Sequence, residues 1–220
     1  KVIINGDSQG DSFVAALSKT DGHIIWKVAH ERPAHSFSTP IIRIISGKTQ
    51  MIFCGNKEIA SYNPADGSKY WFVSGPSEDF CSTPVYNENT GLVLVSSAWP
   101  QRILVAIRPD GTGDVSKTHI AWQSRDGAYY VPSPVYKDNL LFTTMTTGKL
   151  HCIDAATGNI LWIENMGPQY SSPVIADGLI YMPKDDAEMP EVNKQWLDIT
   201  VKGRSLSAHH TCTPYYRADE

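Results

Sequence analysis

Residues 150–162 read Leu150-His151-Cys152-Ile153-Asp154-Ala155-Ala156-Thr157-Gly158-Asn159-Ile160-Leu161-Trp162, and this stretch decides the fold. Two β-rich runs flank a Thr-Gly pair, where glycine supplies the positive φ of a tight hairpin. A tryptophan follows the glycine by four residues. The same glycine and tryptophan recur at that offset as Asp21-Gly22 with Trp26 and as Asp66-Gly67 with Trp71. Asp110-Gly111-Thr112-Gly113 with Trp122 is a fourth copy on a longer hairpin. A second marker, Ser/Thr-Pro-apolar, appears at Thr39-Pro40-Ile41, Thr83-Pro84-Val85, Ser133-Pro134-Val135, Ser172-Pro173-Val174 and Thr213-Pro214-Tyr215. These steps lie roughly 40 to 50 residues apart, the period of a four-stranded repeat.

Short runs such as Gln50-Met51-Ile52-Phe53-Cys54, Leu92-Val93-Leu94-Val95, Leu140-Leu141-Phe142-Thr143-Thr144 and Leu179-Ile180-Tyr181-Met182 lie between the markers. They are rich in β-branched and aromatic residues and bounded by Gly, Asn and Asp. Proline cannot donate to a ladder, so each Ser/Thr-Pro reads as the opening of a first strand. No window of helical length carries a sustained apolar period of 3.6, and the best candidate, Glu188 to Trp196, contains Pro190. The fold class is therefore all-β, a β-propeller of four-stranded antiparallel blades with about five blades represented. Trp26, Trp71, Trp122 and Trp162 fall on outer strands and read as structural residues packed between blades. Four-stranded blades are expected within 38–76, 82–126, 132–166 and 171–205.

The pattern apolar-x-Ala/Cys-Ile/Leu-Asp-x-x-Thr/Asp-Gly-x-x-x-Trp resembles the pyrroloquinoline-quinone (PQQ) type propeller repeat over roughly residues 1 to 182. It is closest in type to non-enzymatic bacterial propellers such as the lipoprotein of the outer-membrane β-barrel assembly machinery. The resemblance implies a periplasmic or extracellular setting and a ring of seven or eight blades, of which this chain would be part. From Pro183 the markers weaken, so 183–220 reads as a divergent last blade followed by the start of another first strand at Cys212 to Tyr216. If that strand instead completed the opening blade, the ring would close with five blades. On either reading residues 1–220 form a single propeller or propeller fragment.

The 220 residues are 41% hydrophobic and 19% charged, a globular composition. A net charge of −4 without a Lys/Arg run argues against nucleic-acid partners, and no apolar stretch is long enough for a spanning helix. The four cysteines, Cys54, Cys81, Cys152 and Cys212, form neither a C-x-x-C metal knuckle nor a dense disulfide framework. Quinoprotein dehydrogenases, as the resemblance implies, hold the quinone against a disulfide of adjacent cysteines and bind Ca²⁺. No two cysteines here are adjacent, so no cofactor and no metal are expected. His30 and His35 are five apart with Pro33 between them, which excludes a helical zinc-protease motif. No nucleophile elbow or phosphate loop is present, and no catalytic residue is assigned.

Residues just before each Ser/Thr-Pro approach the mouth of the central channel, because first strands are innermost. His35, Asp79, Tyr129, Tyr130, His209 and His210 are the candidate ligand-binding residues there, able to stack on or hydrogen-bond a small ligand or a peptide. The expected role is a non-enzymatic scaffold with a protein or peptide partner. The competing expectation is an enzyme on the same fold, either a divergent PQQ-dependent dehydrogenase or a carbohydrate-active hydrolase or lyase.

Overall fold

A computed structural model describes residues 1–32, 35–168, 170–176, 179–183, 196–200 and 214–216. Among these the strands assemble into five antiparallel up-and-down sheets, joined in one case by an extra parallel strand. The first blade has three strands, β1 (Val2–Asn5), β2 (Phe13–Leu17) and β3 (Ile24–Ala29). The second runs β4 (Ile41–Ile45), β5 (Lys48–Gly55), β6 (Glu58–Tyr62) and β7 (Lys69–Ser74). The third contains β8 (Val85–Asn87), β9 (Leu92–Ser97), β10 (Ile103–Ile107) and β12 (Ile120–Ser124). The segment between its last two strands carries β11 (Gly113–Asp114), which crosses to pair in parallel with β7 of the second blade. The longer hairpin read from the sequence thus adds a fifth strand to its neighbour's sheet. The fourth blade is β13 (Val135–Lys137), β14 (Leu140–Thr144), β15 (Lys149–Asp154) and β16 (Ile160–Asn165).

The fifth sheet follows the order β17 (Val174–Ala176), β18 (Leu179–Pro183), β19 (Trp196–Thr200), β20 (Pro214–Tyr216). Pro214 is therefore not the opening of a new first strand, as its Thr-Pro marker suggested. Asp198↔Tyr215 and Ile199↔Pro214 place it as the antiparallel neighbour of β19, the outermost position of the fifth blade. The physical reason is permissive: proline is tolerated on any edge strand whose N–H would face away from the ladder, so Thr-Pro marks an edge rather than a first strand. Among the described residues, 171–205 accordingly hold three strands of that blade, and the fourth lies at 214–216.

Strands β8, β13 and β17 touch in series, so the first strands of consecutive blades stand side by side on the inner face of the fold. Apolar clusters fill the gaps between sheets. Val14, Ala16 and Trp26 meet Met51, Phe53, Ala60 and Tyr62 between the first two blades. Ile52, Cys54, Ile59, Trp71 and Val73 meet Val93, Val95, Val105 and Ile107 between the next two. Leu94, Leu104 and Ala106 meet Leu141, Ile153 and Ala155 further round, and Phe142, Leu150 and Cys152 meet Ile180 and Met182. Both faces of β5, β6, β9, β10, β14 and β15 are thus covered, and these strands lose the alternation of a half-exposed sheet.

The two sequence markers explain one another in the structure. Trp26 Nε1 donates to the Pro64 carbonyl of the next blade's hairpin at 3.1 Å, and Trp122 Nε1 donates to Ala155 at 3.1 Å. A Cβ on Gly67 would lie 2.9 Å from the Trp26 ring, and one on Gly158 would lie 2.6 Å from Trp122. Each indole is therefore roofed by the glycine of the following blade. Trp71 is fully buried and donates instead to Gln50 Oε1 at 2.9 Å, while Gln50 Nε2 reaches the Pro109 carbonyl. Burying a large apolar side chain contributes about 1.5–3 kcal/mol against about 1 kcal/mol for one neutral hydrogen bond. Packing therefore holds the indoles and the N–H fixes their orientation. Trp26 is buried, whereas Trp122 and Trp162 are half-buried.

Candidate functional site at the loop end of the propeller

Antiparallel order puts the connections between blades at the same end of the molecule as the turns between second and third strands. At this end the Ser/Thr-Pro residues form a chain of contacts from blade to blade. Ser38 Oγ donates to the Ser82 carbonyl at 2.9 Å, Thr83 N to Ser133 Oγ at 3.0 Å and Ser133 N to Ser172 Oγ at 2.8 Å. The hydroxyls of Ser133 and Ser172, directly before a proline, and of Ser38, two before Pro40, thus connect blades, a role their sequence positions alone did not disclose. Asn5 extends the chain to the first blade by donating to the carbonyls of Ser36 and Ser38 at 3.0 and 3.1 Å.

Outside that belt the loops lie side by side. Ser36 and Phe80 form a parallel bridge, Asp79 and Trp99 an antiparallel one, and Phe37 N donates to the Phe80 carbonyl at 2.7 Å. His35 is exposed and stacks on Phe37 with centroids 6.2 Å apart and planes 4° from parallel. Asp79 and Tyr130 are half-buried. Burial, followed by its neighbours Cys81 and Asp79, pushes the Tyr130 phenol up to about 12, so it stays protonated and keeps its hydrogen to donate. His35, Asp79 and Tyr130 therefore share the loop end.

Tyr129 is different. It is 1% exposed, packed with Leu94, Leu104 and Ala128, and pinned at both ends of its backbone unit by Ser96, whose Oγ accepts from Tyr129 N and donates to the Tyr129 carbonyl. It is a core residue, not a lining residue, because successive side chains of an extended segment point to opposite sides. His209 and His210 lie outside the described residues.

Sequence reasoning missed the position three before each proline. There stand Phe37, 69% exposed, Val131, 37% exposed, and Tyr170, 70% exposed, with Cys81 half-buried in the series. Trp99, 59% exposed, projects from the β9–β10 turn at the same end. The repeat alignment that singled out five and four residues before the proline contained this signal one step further on.

A Ser-His-Asp set also comes together, unannounced by any motif. Asp7 Oδ1 accepts from Ser12 Oγ at 2.6 Å and from His30 Nδ1, and Asp7 Oδ2 accepts from Asn56 N at 2.9 Å. The carboxylate sits in the middle, so the serine proton faces Asp7 rather than the imidazole. Acyl transfer needs the histidine in that place. The Asp7 and His30 side chains are 0% and 1% exposed, which makes this a lock tying the β1–β2 turn and the β3–β4 loop to the β5–β6 turn. A Cβ on Gly55 would collide with Asp7 Oδ2 at 2.2 Å, so glycine is required where the carboxylate approaches. Among the described residues no three of His, Cys, Asp and Glu are grouped to hold a metal ion, and no helix is long and apolar enough to cross a membrane.

Comparison with known proteins fits this architecture. Tetrathionate hydrolase of Acidithiobacillus ferrooxidans is 26% identical over 143 residues, covering 62% of this chain and 26% of the hydrolase. The crystal structure of BamB from Moraxella catarrhalis superposes with a TM-score of 0.58 at 13% identity, over 90% of this chain and 56% of that one. Quinohemoprotein alcohol dehydrogenase from Comamonas testosteroni gives 0.54 at 13% identity, over 78% and 38%. The chain thus spans about a quarter of the hydrolase and just over half of BamB. The family profile of outer membrane protein assembly factor BamB matches residues 2–118 and 85–199. Together with the repeated blades, that match establishes that the chain belongs to the BamB family of β-propellers.

Proposed function

We propose that residues 1–220 act as a single propeller unit that binds a protein partner through its loop end, without catalysis, in the periplasm or outside the cell. The observation that carries this reading is the set of large apolar side chains left in water on three of the four loops that open the second to fifth blades, Phe37, Val131 and Tyr170, with Trp99 at the same end. Apolar groups gathered at one end of a well-packed fold mark an interaction surface. Aromatic residues that combine a broad face with limited rotamer freedom are favoured at the centres of such surfaces. The polar groups His35, Asp79 and Tyr130 border them and would give the contact its orientation. The lock at Asp7 and the serine belt hold these loops in place before any partner arrives, which lowers the ordering cost of association. The name of the family points the same way, since an assembly factor works by contact with other polypeptides.

The test is capture of a partner from the source organism's envelope extract by the tagged chain, followed by affinity measurement. Phe37→Ser and Tyr170→Ser should each weaken the captured complex at least about tenfold, the scale of a central contact residue. Substitutions on outer strands, such as Lys27→Ser, should leave it unchanged. If outer-strand changes abolish the complex while both loop variants bind normally, the working surface is the rim.

A further inference from the structure

A second feature lies away from the mouth. Between the outer halves of the second and third blades, at the loop end of β7, β10 and β12, is an open cavity of about 430 Å³. Its only charged lining residues are Arg102 and Arg125, in a chain whose net charge is −4. Both arginines are exposed, and among the described residues neither is engaged by a carboxylate or in a side-chain hydrogen bond. This contrasts with Arg32 nearby, whose guanidinium is taken up by Glu58 at 3.1 Å and Ser74 Oγ at 3.1 Å. The amides of Gln101 and Gln123 and the hydroxyl of Ser116 add uncharged polar groups to the wall. Val73, Ile103 and Ile120 supply apolar surface continuous with the cluster between the two blades.

Three features shape the cavity. Strand β11 holds Ser116 against β7, where Ser116 Oγ accepts from Ser74 N at 2.9 Å and closes the outer side. The pairing of Leu104 with Ser124 sets β10 beside β12, and Arg102, just before β10, and Arg125, just after β12, both line the cavity at this end. Gly75 and Pro76 turn the chain away from β7 and leave the top open.

We propose that this groove binds a small organic acid, a carboxylate-bearing molecule whose carbon chain rests on the apolar wall and whose carboxylate is held by Arg102 and Arg125. Guanidinium and carboxylate are both planar and join through two parallel hydrogen bonds. The volume lies within the range of small-molecule sites and far exceeds what an inorganic oxyanion fills. The apolar wall would go unused by phosphate, and this selects an organic acid over an inorganic anion.

Isothermal titration of the 220-residue chain with adipate, with inorganic phosphate as the second arm, tests this. Adipate should bind with Kd below about 1 mM at low salt, and phosphate should bind at least about tenfold more weakly. Arg102→Gln and Arg125→Gln should each weaken adipate about tenfold, while Arg43→Gln, an exposed arginine on β4, should not. The methyl resonances of Ile103 and Ile120 should shift on adipate addition in the wild type. Phe37→Ser should bind adipate as the wild type does, so failure of the loop-end reading and failure of this one give different results. Absence of binding at about 10 mM adipate, phosphate binding as tight as adipate, or equal losses in Arg43→Gln would each overturn the proposal.

Discussion

Gly158 occupies a φ of +79° and faces the Trp122 ring, so two separate demands fall on one residue. The left-handed backbone alone costs a non-glycine residue about 1–2 kcal/mol. Gly22 has nearly the same φ, +78°, but a Cβ there meets nothing within 4 Å. The pair separates conformational strain from contact with the neighbouring blade. In chemical denaturation Gly22→Ala should lose about 1–2 kcal/mol, and Gly158→Ala should lose about 1–3 kcal/mol more, because the ring must move. Equal losses would mean that Trp122 yields freely and that the indole is not clamped by the following blade.

At the scale of strands, each of the four repeat tryptophans stands opposite a small residue: Ala16 opposite Trp26, Ser61 opposite Trp71, Ala106 opposite Trp122 and Cys152 opposite Trp162. A register shift follows that small residue in all four pairs. The bulge adds local twist to the outer hairpin, and the small partner leaves room for the indole across the strand pair. Strand β15 carries His151, a buried histidine whose titration is displaced. His151 is 4% exposed, its Nδ1 has no hydrogen-bond partner, and burial, with Lys149 adding repulsion, holds its pKa below the ordinary 6.5. The unfolded chain therefore takes up this proton before the folded one. Stability contributed by neutral His151 is present above about pH 6.5 and is lost as the pH falls below it toward the folded-state pKa. Denaturation midpoints of the wild type should drop as the pH falls below about 6.5, and His151→Leu should flatten that drop. An unchanged pH slope in the variant would assign the effect to other groups.

For the whole molecule, stability resides between blades rather than within them. The apolar clusters each join two sheets, and the serine belt, the Asp7 lock and the N–H bonds of Trp26 and Trp122 cross from one blade to the next. A blade that opens must expose two interfaces, so the second and third strands of interior blades should open only with their neighbours. In native-state amide exchange, amides of β5, β6, β9, β10, β14 and β15 should share the slowest rates, with those of β1 exchanging faster. Widely different rates among the interior blades would show that blades open independently.

Much of this was written in the sequence because its causes are local. A glycine at positive φ, a proline at a strand edge and a tryptophan at fixed offset act within one hairpin, and repetition made them visible without any knowledge of contacts. The all-β class, the propeller and the limits of the interior blades followed from that. What depends on which blade meets which was decided only by tertiary structure. Thr213-Pro214 looks like the other Ser/Thr-Pro steps, yet pairing with β19 makes it an outer strand, since proline constrains only its own edge. Tyr129 and Tyr130 are equivalent in composition, but opposite side-chain directions bury one and leave the other at the loop end. The arginine-lined groove and the Ser12-Asp7-His30 lock join residues distant along the chain, so no spacing announces them and only the packing of neighbouring blades and loops brings them together.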